Sequence, residues 1–301
     1  MSSVGAGMTK YMTVPLAAAG AASVKLATDY NRSLTKIKAL TGTSTAEVSR
    51  WSSELQRWAG VVGETPKSLA EGLYFIASSG LEGKTAMDAL KKSSIGAAVG
   101  MGETKTIADY ATSAIGAYGQ ANMDAGRAID ILVAAVRYGK GEPEDFAQHL
   151  GFVTGTAAAL NISLQEVVGS ITAMTMKGLG VEEATTALNN LMMVTIKGAR
   201  EGSDALDKYG LTYAQVRDSF ANRGVLETLD LLNRKFGGNV EEMGKVFGNI
   251  RSMRAVMQLL KGDMSKTAEI IDHVRDSQGM LNDAWEKTQG DPSLQFRKTL
   301  A

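Results

Sequence analysis

The sequence predicts an all-α protein: a compact array of about a dozen short to medium helices joined by glycine turns, with no β-sheet. Three observations carry this. Apolar side chains recur at alternating spacings of three and four, which lines them along one helical face. No segment alternates at period two in β-branched and aromatic residues, and no Asn-Gly or Asp-Gly turn joins two such runs. Helix start signals and glycine stops punctuate the whole length.

Taken in order, the stretch MTKYMTVPLAAAGAASVKLA reads as a helix rather than a secretory leader, because Pro15 interrupts it and Lys10 is its basic flank. Thr13 is the expected cap, with Pro15 in the first turn, where a missing N–H costs little. Val48, Trp51, Leu55, Trp58 and Val62 define the next face. Ile107, Ala111, Ala114 and Tyr118 repeat the rhythm, as do Leu164, Val167, Ile171 and Met174, and again Ile250, Met253, Met257 and Leu260. Ser44 with Glu47 and Ser163 with Glu166 have capping-box spacing. Thr65-Pro66 and Glu142-Pro143 mark two further starts. Stops are expected at Gly42, Gly80, Gly100, Gly139, Gly178, Gly198, Gly210 and Gly237, where a left-handed cap suits a residue without Cβ.

Glycine is abundant, with 33 residues, so some must lie inside helices; Gly72, Gly96, Gly116, Gly126 and Gly169 are the candidates. Each costs about 1 kcal/mol of propensity relative to alanine. Close helix approach would offset that. SLAEGLYFIASSGLEGKTAMDAL (68–90) and SLQEVVGSITAMTMKGLGVEEATTAL (163–188) echo each other as helix–glycine–helix units. The expected division is a lead-in helix over 1–42, a helical-hairpin core over 43–200 and a C-terminal helical part over 201–301 that continues into further sequence.

Composition bounds the function. With 301 residues, 44% hydrophobic and 21% charged, the chain has the make-up of a globular protein with a substantial core. Lys+Arg and Asp+Glu are equal at 32, so no net positive field favours nucleic acid or anionic lipid. The absence of cysteine removes disulfides, thiolate nucleophiles and thiolate metal ligands. The uncharged run from Phe146 to Gln165 has the length of a bilayer span, yet carries Gln148, His149 and Asn161, and a new helix starts at Ser163.

One stretch imitates a nucleotide site. YFIASSGLEGKTAMDAL passes from an apolar run through Gly83-Lys84-Thr85 into a helical pattern. A phosphate-cradling loop needs glycine five residues before Gly83, and Ser78 stands there. The preceding Leu69, Leu73 and Ile76 have helical spacing, whereas such a loop follows a buried strand. The expectation is a glycine cap between two helices, with Lys84 and Thr85 solvated at a helix start.

Other constellations point to structure rather than chemistry. His149 and His273 stand far apart without an H-E-x-x-H pattern, and are expected at surface or interhelical positions. Glu182-Glu183 and Glu241-Glu242 are expected in first helical turns, complementing helix dipoles. Met174, Met176, Met192 and Met193 are either core fillers or an adaptable groove, the first being the commoner use. Trp51 and Trp58 share a face, as core or seam. No catalytic, cofactor-binding or metal-ligating residue is assigned, and no cofactor is expected.

Laid out this way, the chain resembles the core region of bacteriophage tail tape-measure proteins, the phage-related minor tail protein family. MTVPLAAAGAASVKLATDY is similar to the family's opening helix, and ALTGTSTAEV to its Thr-Gly turn and capped helix. IASSGLEGKTAMDAL resembles its helix, Ser-Gly-Leu turn and helix. ALNISLQEVVGSITAMTMKGLGVEEATTAL resembles its most recognisable block, with KYGLTYAQVRD and KVFGNIRSMRAVMQLL following in order. The ordered succession carries the resemblance.

The resemblance implies a non-enzymatic virion component that lies in the tail lumen or tip, sets tail-tube length, and takes part in assembly and DNA ejection. Implied partners are further copies of itself, with a trimer as one arrangement, tail tube protein, tail-tip proteins and tail chaperones. Assembly would run in the host cytoplasm. Nucleotide, specific nucleic-acid binding and a membrane span are not expected of this segment. Family members are usually much longer, so an excised piece or a short gene product is expected. A helical adaptor unrelated to tails is the alternative.

Overall fold

The computed structural model describes residues 14–300, and every regular element among them is helical. Thr13 lies outside the described residues; Pro15 falls at the second position of α1 (Val14–Thr41). α2 (Thr45–Val62), α3 (Pro66–Ser78), α4 (Gly83–Ala98), α5 (Thr104–Tyr118) and α6 (Ala125–Tyr138) follow across short turns. The uncharged run after Phe146 is broken into α7 (Pro143–His149), a 3-10 turn (Leu150–Val153) and α8 (Thr154–Ala159). α9 (Leu164–Met176) and α10 (Val181–Lys197) form the second helix–glycine–helix unit.

Beyond it come α11 (Arg200–Asp207), α12 (Tyr213–Arg223), α13 (Val225–Lys235), α14 (Val240–Phe247), α15 (Ile250–Leu260), α16 (Met264–Arg275), α17 (Met280–Thr288) and α18 (Pro292–Leu300). The helices outnumber the anticipated dozen because short polar caps divide this last third finely. Asn239, Asn249 and Asp263 each accept two first-turn amides through one side-chain oxygen.

α6 and α9 form the centre. α6 buries Ala128, Ile129, Ile131, Leu132, Ala134 and Ala135 around much of its circumference, as a helix enclosed by others must. α4, α5, α9, α16 and α17 pack around it. α9 buries every residue from Glu166 to Thr175 and lies against α16. Gly169 permits that approach: a Cβ there would stand 2.9 Å from the Ile271 Cα. Gly72 plays the same part between α3 and Thr104, whereas Gly116 faces open space. The chain closes on itself, with α17 against α4 and α6 and α18 against α2. Buried apolar side chains from Tyr30 to Leu294 form one continuous cluster.

The predicted faces of α2, α5 and α9 are the buried ones, with Trp58 and Tyr118 half-buried at their ends. Trp58 donates its indole N–H to Ser94 Oγ at 2.8 Å, and Tyr118 its hydroxyl to the Ile162 carbonyl at 2.8 Å. α15 is a correction. It turns Ser252, Ala255, Val256 and Leu259 inward and leaves Ile250 81% and Met257 47% exposed, with Met253 and Leu260 half-buried. The inner face mixes small Ser252 and Ala255 with Val256 and Leu259, and it packs against α10.

Gly139 also departs from expectation. Its φ of −101° is ordinary, and glycine is required for space: a Cβ would stand 2.8 Å from the Phe146 ring. The methionines divide, with Met174 and Met192 in the core, Met193 half-buried and Met176 53% exposed.

Candidate functional site: the Gly83 turn and the helix-end carboxylates

The nucleotide look-alike is a helix–turn–helix. α3 ends at Ser78, Gly80 takes a φ of 84°, and α4 begins at Gly83, with Lys84 and Thr85 exposed in its first turn. The N-cap residue of α4, Glu82, supplies no side-chain cap. A free helix N-terminus of this kind attracts anions. Here the anion belongs to the protein: Glu47 Oε1, on α2, accepts the Gly83 amide at 2.8 Å.

This alters the reading of the Ser44 start. Ser44 Oγ accepts the Glu47 amide at 3.2 Å as predicted, but the reciprocal half of the capping box is replaced by the longer-range bond to Gly83. The Ser163 start repeats the substitution. Ser163 Oγ accepts the Glu166 amide, while the Glu166 carboxylate accepts the Val225 amide at 2.8 Å and pairs with Arg275 at 3.2 Å. Among the described residues the complete capping box is at Thr212 and Gln215.

A third remote acceptor completes the pattern. Asp130 on α6 receives the Gly279 amide at 2.9 Å and the Leu281 amide at 2.8 Å, closing the start of α17. α4, α13 and α17 share one trait: the residue before each helix contributes no side-chain cap, and a carboxylate from a distant helix fills the vacancy. Helix C-termini receive cations in the same manner. Lys177 Nζ donates to the Gln258 and Leu259 carbonyls at 2.7 and 3.1 Å, and Arg297 donates to the Ala98 carbonyl at 3.3 Å.

Sequence reasoning missed Asp130, Lys177, Arg275 and Arg297. The available signal was indirect: a helical pattern opening directly after Gly224 or Gly279 has no local oxygen for its first amides, so another must come from afar.

The electrostatics follow from burial. Desolvation pushes the Glu166 carboxyl above its ordinary range, opposed by the Val225 amide and the Arg275 guanidinium. Desolvation likewise lowers Lys177, opposed by Asp263. Hydrogen bonds from Lys245 and Lys208 hold Glu242 below its usual range. Glu182-Glu183 and Glu241-Glu242 occupy first turns, of α10 and α14, as predicted. His273 stacks on Tyr138 with centroids 4.3 Å apart, and His149 lies half-buried with Nε2 3.9 Å from Glu182.

A cleft of about 600 Å³ opens beside the start of α4, floored by Trp58, Ile95, Ile115 and Met123. Among its rim charges, Lys91 pairs with Glu54, Lys92 donates to Asn282, and Asp124 accepts the Arg127 amide. Among the described residues no group of three His, Asp or Glu is disposed to hold a metal ion, and no helix is long and apolar enough to cross a membrane.

Geometry of this kind defines a helical scaffold in which Glu47, Asp130, Glu166, Lys177 and Arg297 close the ends of helices distant in sequence. Comparison with known proteins then gives the family. Residues 45–289 match the model of the phage-related minor tail protein family, and the chain belongs to it. That family is one of phage tail proteins. The tape measure protein of Pneumococcus phage Dp-1 is 24% identical over 213 residues, covering 71% of this chain and 18% of that protein. The chain thus spans less than a fifth of the curated relative's length. No solved structure matches it.

Proposed function

We propose that this chain is the folded core region of a tape-measure protein, a component of the tail lumen or tip that helps set tail-tube length and takes part in tail assembly and DNA ejection. The observation that carries the reading is the alignment to the Dp-1 tape measure protein, which runs through most of the chain. The physical role suggested for it is a node rather than a rod. A continuous helix advances about 1.5 Å per residue. Helices folded back across glycine turns advance far less, so most of the ruler length would lie in other segments of the full protein.

Partners in this reading are other copies of the chain, tail tube protein, tail-tip proteins and tail chaperones, with assembly in the host cytoplasm. α1 would serve as the lead-in, 43–200 as the hairpin core and 201–301 as the part continuing into further sequence. In-frame deletion and duplication across the full gene test it, with tail length read by electron microscopy. Proportional change on altering flanking helical segments, and loss of assembled tails on deleting 45–289, are expected. Normal tails without 45–289 would remove this region from the mechanism.

A further inference from the structure

We propose that the outward face of α15 is a docking seam for a partner α-helix whose apolar stripe is flanked by acidic side chains. This stands apart from the tail reading and rests on the structure alone.

α15 is apolar on two faces. The inner one, Ser252, Ala255, Val256 and Leu259, is buried. About a third of a turn away, Ile250, Met253, Met257 and Leu260 form a second stripe at spacings of three, four and three. That is the repeat of a helix-pairing seam, and it extends about 15 Å along the axis. Ile250 and Met257 are among the exposed large hydrophobics of the protein. Met253 and Leu260 are half-buried against the core, so the open part of the stripe is Ile250 and Met257, two turns apart on one line of the helix. Helix-in-groove recognition reads such spacing on the partner as well.

Charge selects the kind of helix. α15 carries Arg251 and Arg254 and no acidic residue, and Lys261 follows it directly. Glu183 pairs with Arg254, and Glu182 stands with Arg251 at the same hollow. Among the described residues, Arg251 and Lys261 make no ion pair within 4.0 Å. Arg254 and Lys261 border the stripe on one side, by helical position; with Arg254 already held by Glu183, Lys261 is the open charge of that border. A second copy laid antiparallel would set this basic border against its own equivalent. An acid-flanked helix meets it with opposite charge.

The test uses the full chain and two synthetic helical peptides of about three heptads. They share one Leu/Ile seam and differ in carrying Glu or Lys at the flanking positions. Fluorescence anisotropy is expected to show binding of the Glu peptide and not the Lys peptide. Ile250→Asp with Met257→Asp should weaken it at least about tenfold, with unchanged circular dichroism. Should that variant misfold, Lys261→Glu gives an independent reading: the Glu peptide should weaken about two- to fivefold, and the Lys peptide should gain.

Absence of binding, equal binding of both peptides, or indifference to these substitutions would overturn the proposal. So would a dimer in sedimentation that Ile250→Asp dissolves, because the occupant would then be a second copy.

Discussion

Gly224 sits directly over the Glu166 carboxylate: a Cβ added to the glycine would stand 2.6 Å from the carboxyl carbon. Gly224 also has φ 86° and ψ 174°, a region open to glycine almost alone. Gly224→Ala should therefore destabilise the fold by about 2–4 kcal/mol, the sum of strain and overlap. Urea unfolding of the single and double variants separates the two parts. In a Glu166→Ala background the overlap portion should vanish and the strain portion persist; additive costs would show that the contact contributes nothing.

Glu166 has its own pH signature. Burial raises its pKa in the folded state, so its contribution to stability is fullest below the ordinary carboxylate range and declines as pH rises through the folded value. Glu166→Gln stays neutral throughout. The stability of wild type relative to that variant should therefore fall on going from acid toward neutral pH. A difference that grows in favour of wild type over that window would mean that Arg275 and the Val225 amide outweigh desolvation.

Removing the Asp130 carboxylate leaves the amide of Gly279, just before α17, and that of Leu281, in its first turn, without acceptors. Asp130→Ala is expected to cost about 1–3 kcal/mol. Hydrogen exchange should accelerate first at the Gly279 and Leu281 amides, whose bonds to Asp130 are lost. Asp130→Asn keeps one acceptor oxygen and should lie between. Protection unchanged at both amides would show that α17 is held by packing alone.

Interior glycines should respond with opposite signs. Gly116 lies within α5 and faces open space, so Gly116→Ala should stabilise by about 0.4–1 kcal/mol. Gly169→Ala drives a methyl against the Ile271 backbone and should destabilise by about 1–3 kcal/mol. Thermal unfolding of the two variants side by side reads the difference; equal shifts would contradict the close α9–α16 approach.

These residues also show how far a chain of letters can be read. Val48, Trp51, Leu55 and Val62 are legible because large apolar groups at helical spacing usually face the core, and here they do. α15 misleads by the same rule. Ile250, Met253, Met257 and Leu260 outweigh Ser252 and Ala255 in hydrophobicity, yet the face carrying Ser252 and Ala255 with Val256 and Leu259 is the one buried, on a helix that packs against α10.

Caps divide along the same line. The hydroxyls of Ser44 and Ser163 act within their own first turns and could be foreseen. The destinations of Glu47, Glu166 and Asp130 depend on which helices the fold brings together, and local sequence does not encode that. The Gly83 turn was legible as a turn; that Glu47 occupies it was not.

Asp130 bonds to residues 149 and 151 positions downstream, so the stretch of chain it closes by hydrogen bonds spans about half the polypeptide. Tension applied from the C-terminal side loads this fastening early, once α18 has peeled from α2. Unravelling under force should then proceed in a set order: α18, then α17 leaving Asp130, then α16 leaving Glu166 and α9. An optical-trap trace should show successive steps, with Asp130→Ala lowering the second. Such a sequence would let the molecule be paid out lengthwise through a narrow bore, one helix at a time.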